Sequence, residues 1–319
     1  MDDTRLSDIV VATDGSDPAA AAVEAAIGLA AGTGARLHAC TVVNPFPTGQ
    51  KLTDLRDHRE EAEERVKSIA SRAEEAGVDA VATLREGVPA DELLACVDEV
   101  GADVVVVGTH GRGGARRVLL GSVAEAIVRT ADVPVLVVHG DGERREWGSE
   151  SRLVVATDGS DAVVPAERIG VDLAATLGAR LTAVSAIDEA RTLANVGGGV
   201  LTNETIESVK RALSERAGDA VDRVLERAED AGLDADAEMI AGEPSRAVCG
   251  YARDADADLV VVGTHGRTGV RRVVLGSVAE RILRAADRPV LVVPASAETF
   301  ENAEGSVDAE AGADGESPE

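Results

Sequence analysis

The chain has 319 residues, enough for two compact domains with separate cores, and a formal net charge of −26. A field of that sign disfavours non-specific nucleic-acid binding, and no apolar run approaches the ~18 residues of a membrane span. Only 1% of the residues are aromatic and 29 of the 32 basic ones are arginine, a lysine-poor, acidic balance that predicts a salt-adapted microbe, where screening lowers self-repulsion.

Met1 to Arg5 lacks the basic and apolar regions of a secretory leader, so the chain is expected to be cytoplasmic. Cys40, Cys96 and Cys249 are odd in number and without metal-type spacing, and read as apolar fillers in a reducing compartment. The first predicted strand, Ile9 to Ala12, ends in Thr13-Asp14-Gly15-Ser16. Asp17-Pro18 then opens a helix, a capping side chain followed by Pro in the first turn, and Gly32-Thr33-Gly34 stops it. Arg36–Val43 is a second strand. A charged amphipathic helix follows from about Thr53 to Gly77. A strand at Asp79–Arg85, a helix at Pro89–Val100 and the all-valine strand Val104–Val107 come next, then a glycine-rich loop, a helix from Ser122 to about Thr130 and a last strand, Pro134–Val138. Strict strand–helix alternation predicts an α/β doubly wound fold: a five-stranded parallel sheet, right-handed crossovers, and helices on both faces.

Residues 140–149 are polar and glycine-bearing, a predicted linker, after which the plan repeats. Leu153–Asp161 restates residues 9–17, and residues 263–293 match 108–138 at 24 of 31 positions, so the chain is an internal duplication with domains at 5–139 and 150–294. The offset between copies grows from 144 at Asp14/Asp158 to 155 at Gly111/Gly266, which places 11 extra residues between the second and third strands of the second copy. Gly197, Gly198 and Gly199 mark its expected flexible part, a surface loop or a lid. The segment 295–319 is acidic, carries no basic residue, and is expected to be disordered.

In a doubly wound sheet ligands sit beyond the strand C-termini where strand order reverses, here between Asp14 and Gly108 in the first copy and between Asp158 and Gly263 in the second. Gly108 and Gly111 allow close backbone approach to a ribose or phosphate, and Gly121-Ser122 offers donors at a helix N-terminus that favours an anion. His110 and His265 lie inside the loops, with no acid partner or nucleophile that would form a triad. Arg112, Arg116 and Arg117, with Arg267, Arg271 and Arg272, are islands of positive charge that either meet phosphate or pair with acids. A Walker-type P-loop is absent from the sequence.

Gly108, Gly111, Gly121, Ser122 and their counterparts Gly263, Gly266, Gly276, Ser277 follow the pattern Gly, two residues, Gly, nine residues, Gly, Ser/Thr. In this the chain resembles tandem universal stress proteins of the ATP-binding subgroup. The resemblance implies one adenine nucleotide per copy, bound by Ala12, Thr13, Asp14, Val42, Gly108, His110, Gly111, Gly121, Ser122 and Val123 in the first. In the second it implies Ala156, Thr157, Asp158, Ala186, Gly263, His265, Gly266, Gly276, Ser277 and Val278, where Ala186 is a smaller wall for adenine than Val42. It implies ATP, with Mg²⁺ left open, as cofactor and no metal site of the protein's own. It also implies pairing of the last strands into an intramolecular pseudo-dimer, further homodimerisation being open and no protein partner identified. Ser122 reads either as a modification site of the family or as a helix cap. The expected function is a nucleotide-dependent stress-response module without a catalytic residue; a slow ATPase or transferase, and a scaffold with empty pockets, are the alternatives.

Overall fold

The computed structural model describes residues 6–45, 52–109, 120–139, 146–195, 202–264 and 275–297. Its first half runs β1 (Asp8–Ala12), α1 (Asp17–Thr33), β2 (Arg36–Val43), α2 (Leu52–Glu75), β3 (Ala80–Glu86), α3 (Pro89–Val100), β4 (Val104–Gly108), α4 (Ser122–Thr130) and β5 (Val135–Val138). The second half repeats it: β6 (Arg152–Ala156), a 3₁₀ turn at Asp161–Val163, α5 (Val164–Leu177), β7 (Arg180–Ile187), α6 (Glu189–Asn195), α7 (Asn203–Asp230), β8 (Ala235–Ala241), α8 (Pro244–Asp254), β9 (Leu259–Gly263), α9 (Ser277–Ala285) and β10 (Val290–Val293). Within each half all strands are parallel.

The ten strands form one sheet in the order β3-β2-β1-β4-β5-β10-β9-β6-β7-β8. The halves meet at β5 and β10, which pair antiparallel with Leu136 opposite Leu291. Pairing of the last strands within one chain is therefore an observed feature.

Period-two alternation sends the strand side chains to two cores. Ile9, Val11, Val104 and Val106 face α1, α2 and the matching helices of the second half, whereas Val10, Val105 and Val107 face α3 and α4. Both cores continue across the β5–β10 junction. Strands buried on both faces have no polar side to show, which is why they read as unbroken valine runs.

Two helix starts differ from expectation. Ser16, not Asp17, is the cap of α1, and its hydroxyl bonds back to Asp14 rather than to the helix. In the second half the first-turn proline has moved to Pro165, so the helix proper starts at Val164 behind a 3₁₀ turn. Gly34 stops α1 as expected, at φ 78° with its N–H on the Ala30 carbonyl.

The expected linker is not only polar spacer. Trp147 is 6% exposed, belongs to the core shared by α1 and α5, and donates its indole N–H to the Ala25 carbonyl at 3.2 Å. Residues 140–145, like the acidic stretch beyond Ala297 and the Gly197–Gly199 run, lie outside the described residues.

The three cysteines are buried and free. Cys40 on β2 and Cys96 on α3 share a hydrogen bond that pushes the Cys40 thiol up, burial adding to it, and that lowers the Cys96 thiol against the opposing effect of burial; burial pushes Cys249 up to about 11. Because all three side chains are buried, a thiol reagent should label none of them rapidly in the native protein and all three in denaturant. Rapid native labelling of any one would contradict the packing.

Candidate functional site

In the second half the C-terminal ends of β6, β7 and β9 converge with the N-terminus of α9 on a cavity of about 380 Å³. β6 has β9 on one side and β7 on the other, so the cavity lies at the reversal of strand order. Eight of the residues expected from sequence line this one space: Ala156, Thr157, Asp158, Ala186, Gly263, Gly276, Ser277 and Val278. His265 and Gly266 fall outside the described residues, as do His110 and Gly111 and all six arginines of the two loops.

Each strand end is held by its neighbours. The Thr157 N–H donates to the Val184 carbonyl at 2.9 Å, and the Thr157 hydroxyl oxygen accepts from the Gly159 N–H at 3.2 Å. Asp158 Oδ1 accepts from both the N–H and the hydroxyl of Ser160, at 3.0 and 2.6 Å. This Asx turn redirects the chain away from the sheet; Gly159 at φ 73° permits it where a Cβ would be strained. The first half repeats the pattern with Thr13, Asp14, Gly15 and Ser16. There the Thr13 carbonyl also accepts the Thr41 hydroxyl at 2.7 Å. The strand-end acid thus shapes the turn with one carboxylate oxygen, which gives it a local role alongside any contact with ligand.

The glycine loops are closed at their necks. Gly276 N–H donates to the Thr264 carbonyl at 2.7 Å and Gly121 N–H to the Thr109 carbonyl at 2.5 Å. α4 and α9 then start with Gly121 and Gly276 as caps, neither making a side-chain cap bond. Ser122 and Ser277 are the first helical residues, one place too late to cap, so the expectation that Ser122 serves as a helix cap is corrected. Their exposed position at a helix N-terminus leaves the first-turn N–H groups facing the site, the arrangement that attracts an anion.

Gly108 has a different neighbour from the one its sequence position implies. A Cβ there would lie 2.4 Å from the Pro18 carbonyl oxygen, so this glycine admits the first turn of α1 against the end of β4. Val42, like Ala12 and Val123, packs half-buried against the core under α3 and α4.

Sequence reasoning missed the walls supplied by the helices. The 11-residue excess carries α6, from which Arg191 and Thr192 line the cavity, while Asp188 at its foot does the same. Asp188 also accepts the Arg191 N–H at 3.0 Å, and Lys210 pairs with Glu189 at 3.4 Å to hold α6 against α7. The only signal for this wall was the position of the length excess, just past a strand C-terminus. At the far side Glu243 caps α8 beside the lining residue Pro244. Burial pushes the Glu243 carboxyl up, but the Ser245 hydroxyl, two helix N–H groups and Arg281 outweigh it and leave the group below its usual range. Among the described residues no group of three or more His, Cys, Asp and Glu side chains gathers as a metal site, and no helix is long and apolar enough to cross a membrane.

Comparison with known proteins gives a consistent picture. The sequence pattern described as the universal stress protein family fits residues 6–139 and 151–294. The universal stress protein MJ0531 of Methanocaldococcus jannaschii is 34% identical over 142 residues, 44% of this chain and 81% of that protein. The universal stress protein Rv2005c of Mycobacterium tuberculosis is 32% identical over 191 residues, 60% of this chain but only 61% of that protein. Among solved structures, a universal stress protein of Archaeoglobus fulgidus superposes with a TM-score of 0.65 over 90% of this chain and 98% of its own, at 20% identity, a likeness of fold.

Proposed function

The chain belongs to the universal stress protein family, and from that premise we propose that it is a two-site adenine-nucleotide-binding module of a stress response, one nucleotide per half. The observation that carries this reading is the convergence of eight sequence-expected residues on one cavity at the strand-order reversal of the second half. Its volume lies within the roughly 300–1,000 Å³ of small-molecule sites. The wall is mostly apolar at Ala186, Val248 and Ile282, suited to a purine face, while Gly276, Ser277 and the α9 N-terminus supply donors suited to phosphate. ATP with Mg²⁺ fits this donor set.

Binding and positioning are what these residues support. Asp158 is tied to Ser160, and among the described residues the basic side chain lining the cavity is Arg191. The site would hold nucleotide and report its presence through the α9 N-terminus and the β6 turn, with the acidic surface remaining in the solvent.

Calorimetric titration with ATP and Mg²⁺ at high KCl should give about two nucleotides per chain, and Ala186→Trp, which fills the second cavity, should leave about one. A folded chain that binds none, or an Ala186→Trp chain that still binds two, would sink the proposal. Steady ADP release during the titration would move the assignment to a slow ATPase.

A further inference from the structure

Glu167, in the first turn of α5, is 0% exposed. Its carboxylate accepts the Thr157 hydroxyl at 2.6 Å and two bonds from Arg223 of α7, Nε at 2.8 Å and a terminal nitrogen at 2.5 Å. Arg227, one turn further along α7, lies 3.7 Å from the same carboxylate. Arg223 also reaches the Gly159 carbonyl at 3.4 Å. The network therefore grips the Thr157–Ser160 turn twice, once through a hydroxyl and once through a carbonyl, from behind the cavity that Thr157 and Asp158 line.

The duplication supplies an internal control. At the offset of 144, Glu167 corresponds to Val23; at the offset of 155, Arg223 corresponds to Ser68 and Arg227 to Arg72. Arg72 pairs instead with Glu24, and Val23 is simply part of the apolar core. Thr13 keeps the bond to Gly15 N–H, but Val23 offers its hydroxyl no acceptor. The first half adopts the same strand order without the buried ions, so the fold does not require them. Buried ion pairs are moreover often no more stabilising than apolar residues of equal volume. In the first half the Arg65 guanidinium of α2 packs on the Gly15 turn, its Nε 2.4 Å from where a Gly15 Cβ would lie; what the second half has in addition is a buried carboxylate that holds the Thr157 hydroxyl and, through Arg223, reaches the Gly159 carbonyl.

We infer that Glu167 and Arg223 are positioning residues of the second pocket, holding the Thr157–Ser160 turn in the form that receives ligand and making the two pockets unequal, the second the tighter. This rests on the nucleotide reading above. The bond to Glu167 also raises the Arg223 pKa, so the arginine stays charged throughout the working pH range.

The test writes the residues of the first half into the second. Glu167→Val/Arg168→Glu/Arg223→Ser reproduces Val23, Glu24 and Ser68 around Arg227. Amide hydrogen exchange at Gly159 and Ser160 in the nucleotide-free protein should accelerate about tenfold, and the tighter of the two ATP sites should weaken about tenfold while the other is unchanged. Loss of affinity without faster exchange, faster exchange without loss of affinity, or no change in either overturns the inference. Where that variant fails to fold, Thr157→Val is compared with Thr13→Val. The first removes a hydroxyl held by a carboxylate and the second one that is not, so Thr157→Val should weaken its own site several-fold more; equal effects overturn the assignment. A wild-type chain that binds no ATP overturns the nucleotide reading itself, and the exchange rates then decide whether the network locks the turn.

Discussion

Gly108→Ala should lower the melting temperature by roughly 4–5 °C, the shift expected of about 3 kcal/mol in a chain of this size, and should abolish ligand binding in the first half alone. The added methyl would lie 2.4 Å from the Pro18 oxygen, 2.6 Å from the Pro18 carbonyl carbon and 3.0 Å from the Ala19 nitrogen. All three are backbone atoms of the α1 start, so no side chain can swing aside. α1 must retreat from the sheet, and the Asp14–Ser16 turn that leads into it moves as well. Pro18 also leaves its neighbourhood little freedom to re-form. Differential scanning calorimetry with and without ATP checks both parts. A melting temperature within about 1 °C of wild type would show that α1 has room to yield.

Trp147→Ala should cost about 3–5 kcal/mol and separate the unfolding of the two halves. Trp147 lies where α1 and α5 meet across the junction: its carbonyl oxygen is 2.7 Å from where a Cβ on Gly32 would be, with Leu177 at 2.8 Å from the same point. The remaining ties between the halves include the short β5–β10 ladder and a His139–Leu283 carbonyl bond of 2.8 Å. Urea unfolding followed by circular dichroism should broaden or split in the variant, and Trp147→Phe, which keeps most of the ring, should fall between. As the chain's one tryptophan, Trp147 also lets wild-type fluorescence report this junction directly. An unchanged single transition at the wild-type midpoint would remove it from the role of staple.

The parts of the molecule most legible in sequence were those whose physics is local or repeated. Val104–Val107 could only be a strand buried on both faces, and the second copy confirmed the period of the whole plan. The residues around the second cavity were legible for the same reason, since strand ends and a helix N-terminus are marked by Gly, Asp and Ser. Glu167 was not, because an acid on a helix beside other charges reads as solvent-facing; only the tertiary approach of Arg223 and Thr157 makes it interior. Trp147 was hidden by its polar surroundings, and Gly108 by a motif that offered a ready explanation for any glycine. The cap of α1 was misplaced by one residue because Ser16 and Asp17 are both good caps, and the choice depends on the Asp14 turn that precedes them.

The antiparallel joint between β5 and β10 has a consequence for the history of the chain. Since every strand within a half is parallel to its neighbours, reversing direction at the joint points the strand C-termini of the halves toward opposite rims of the sheet. The proposed sites at the ends of β1/β4 and of β6/β9 therefore lie on opposite rims, offset by about four strand spacings, or roughly 20 Å, across the sheet and by a strand length along it. A duplicated gene product built this way can let one copy drift toward a new affinity while its twin conserves the old one. Among the described residues the Glu167 network and α6 belong to the second copy alone, so the twins already differ in what stands around the ligand-facing strand ends.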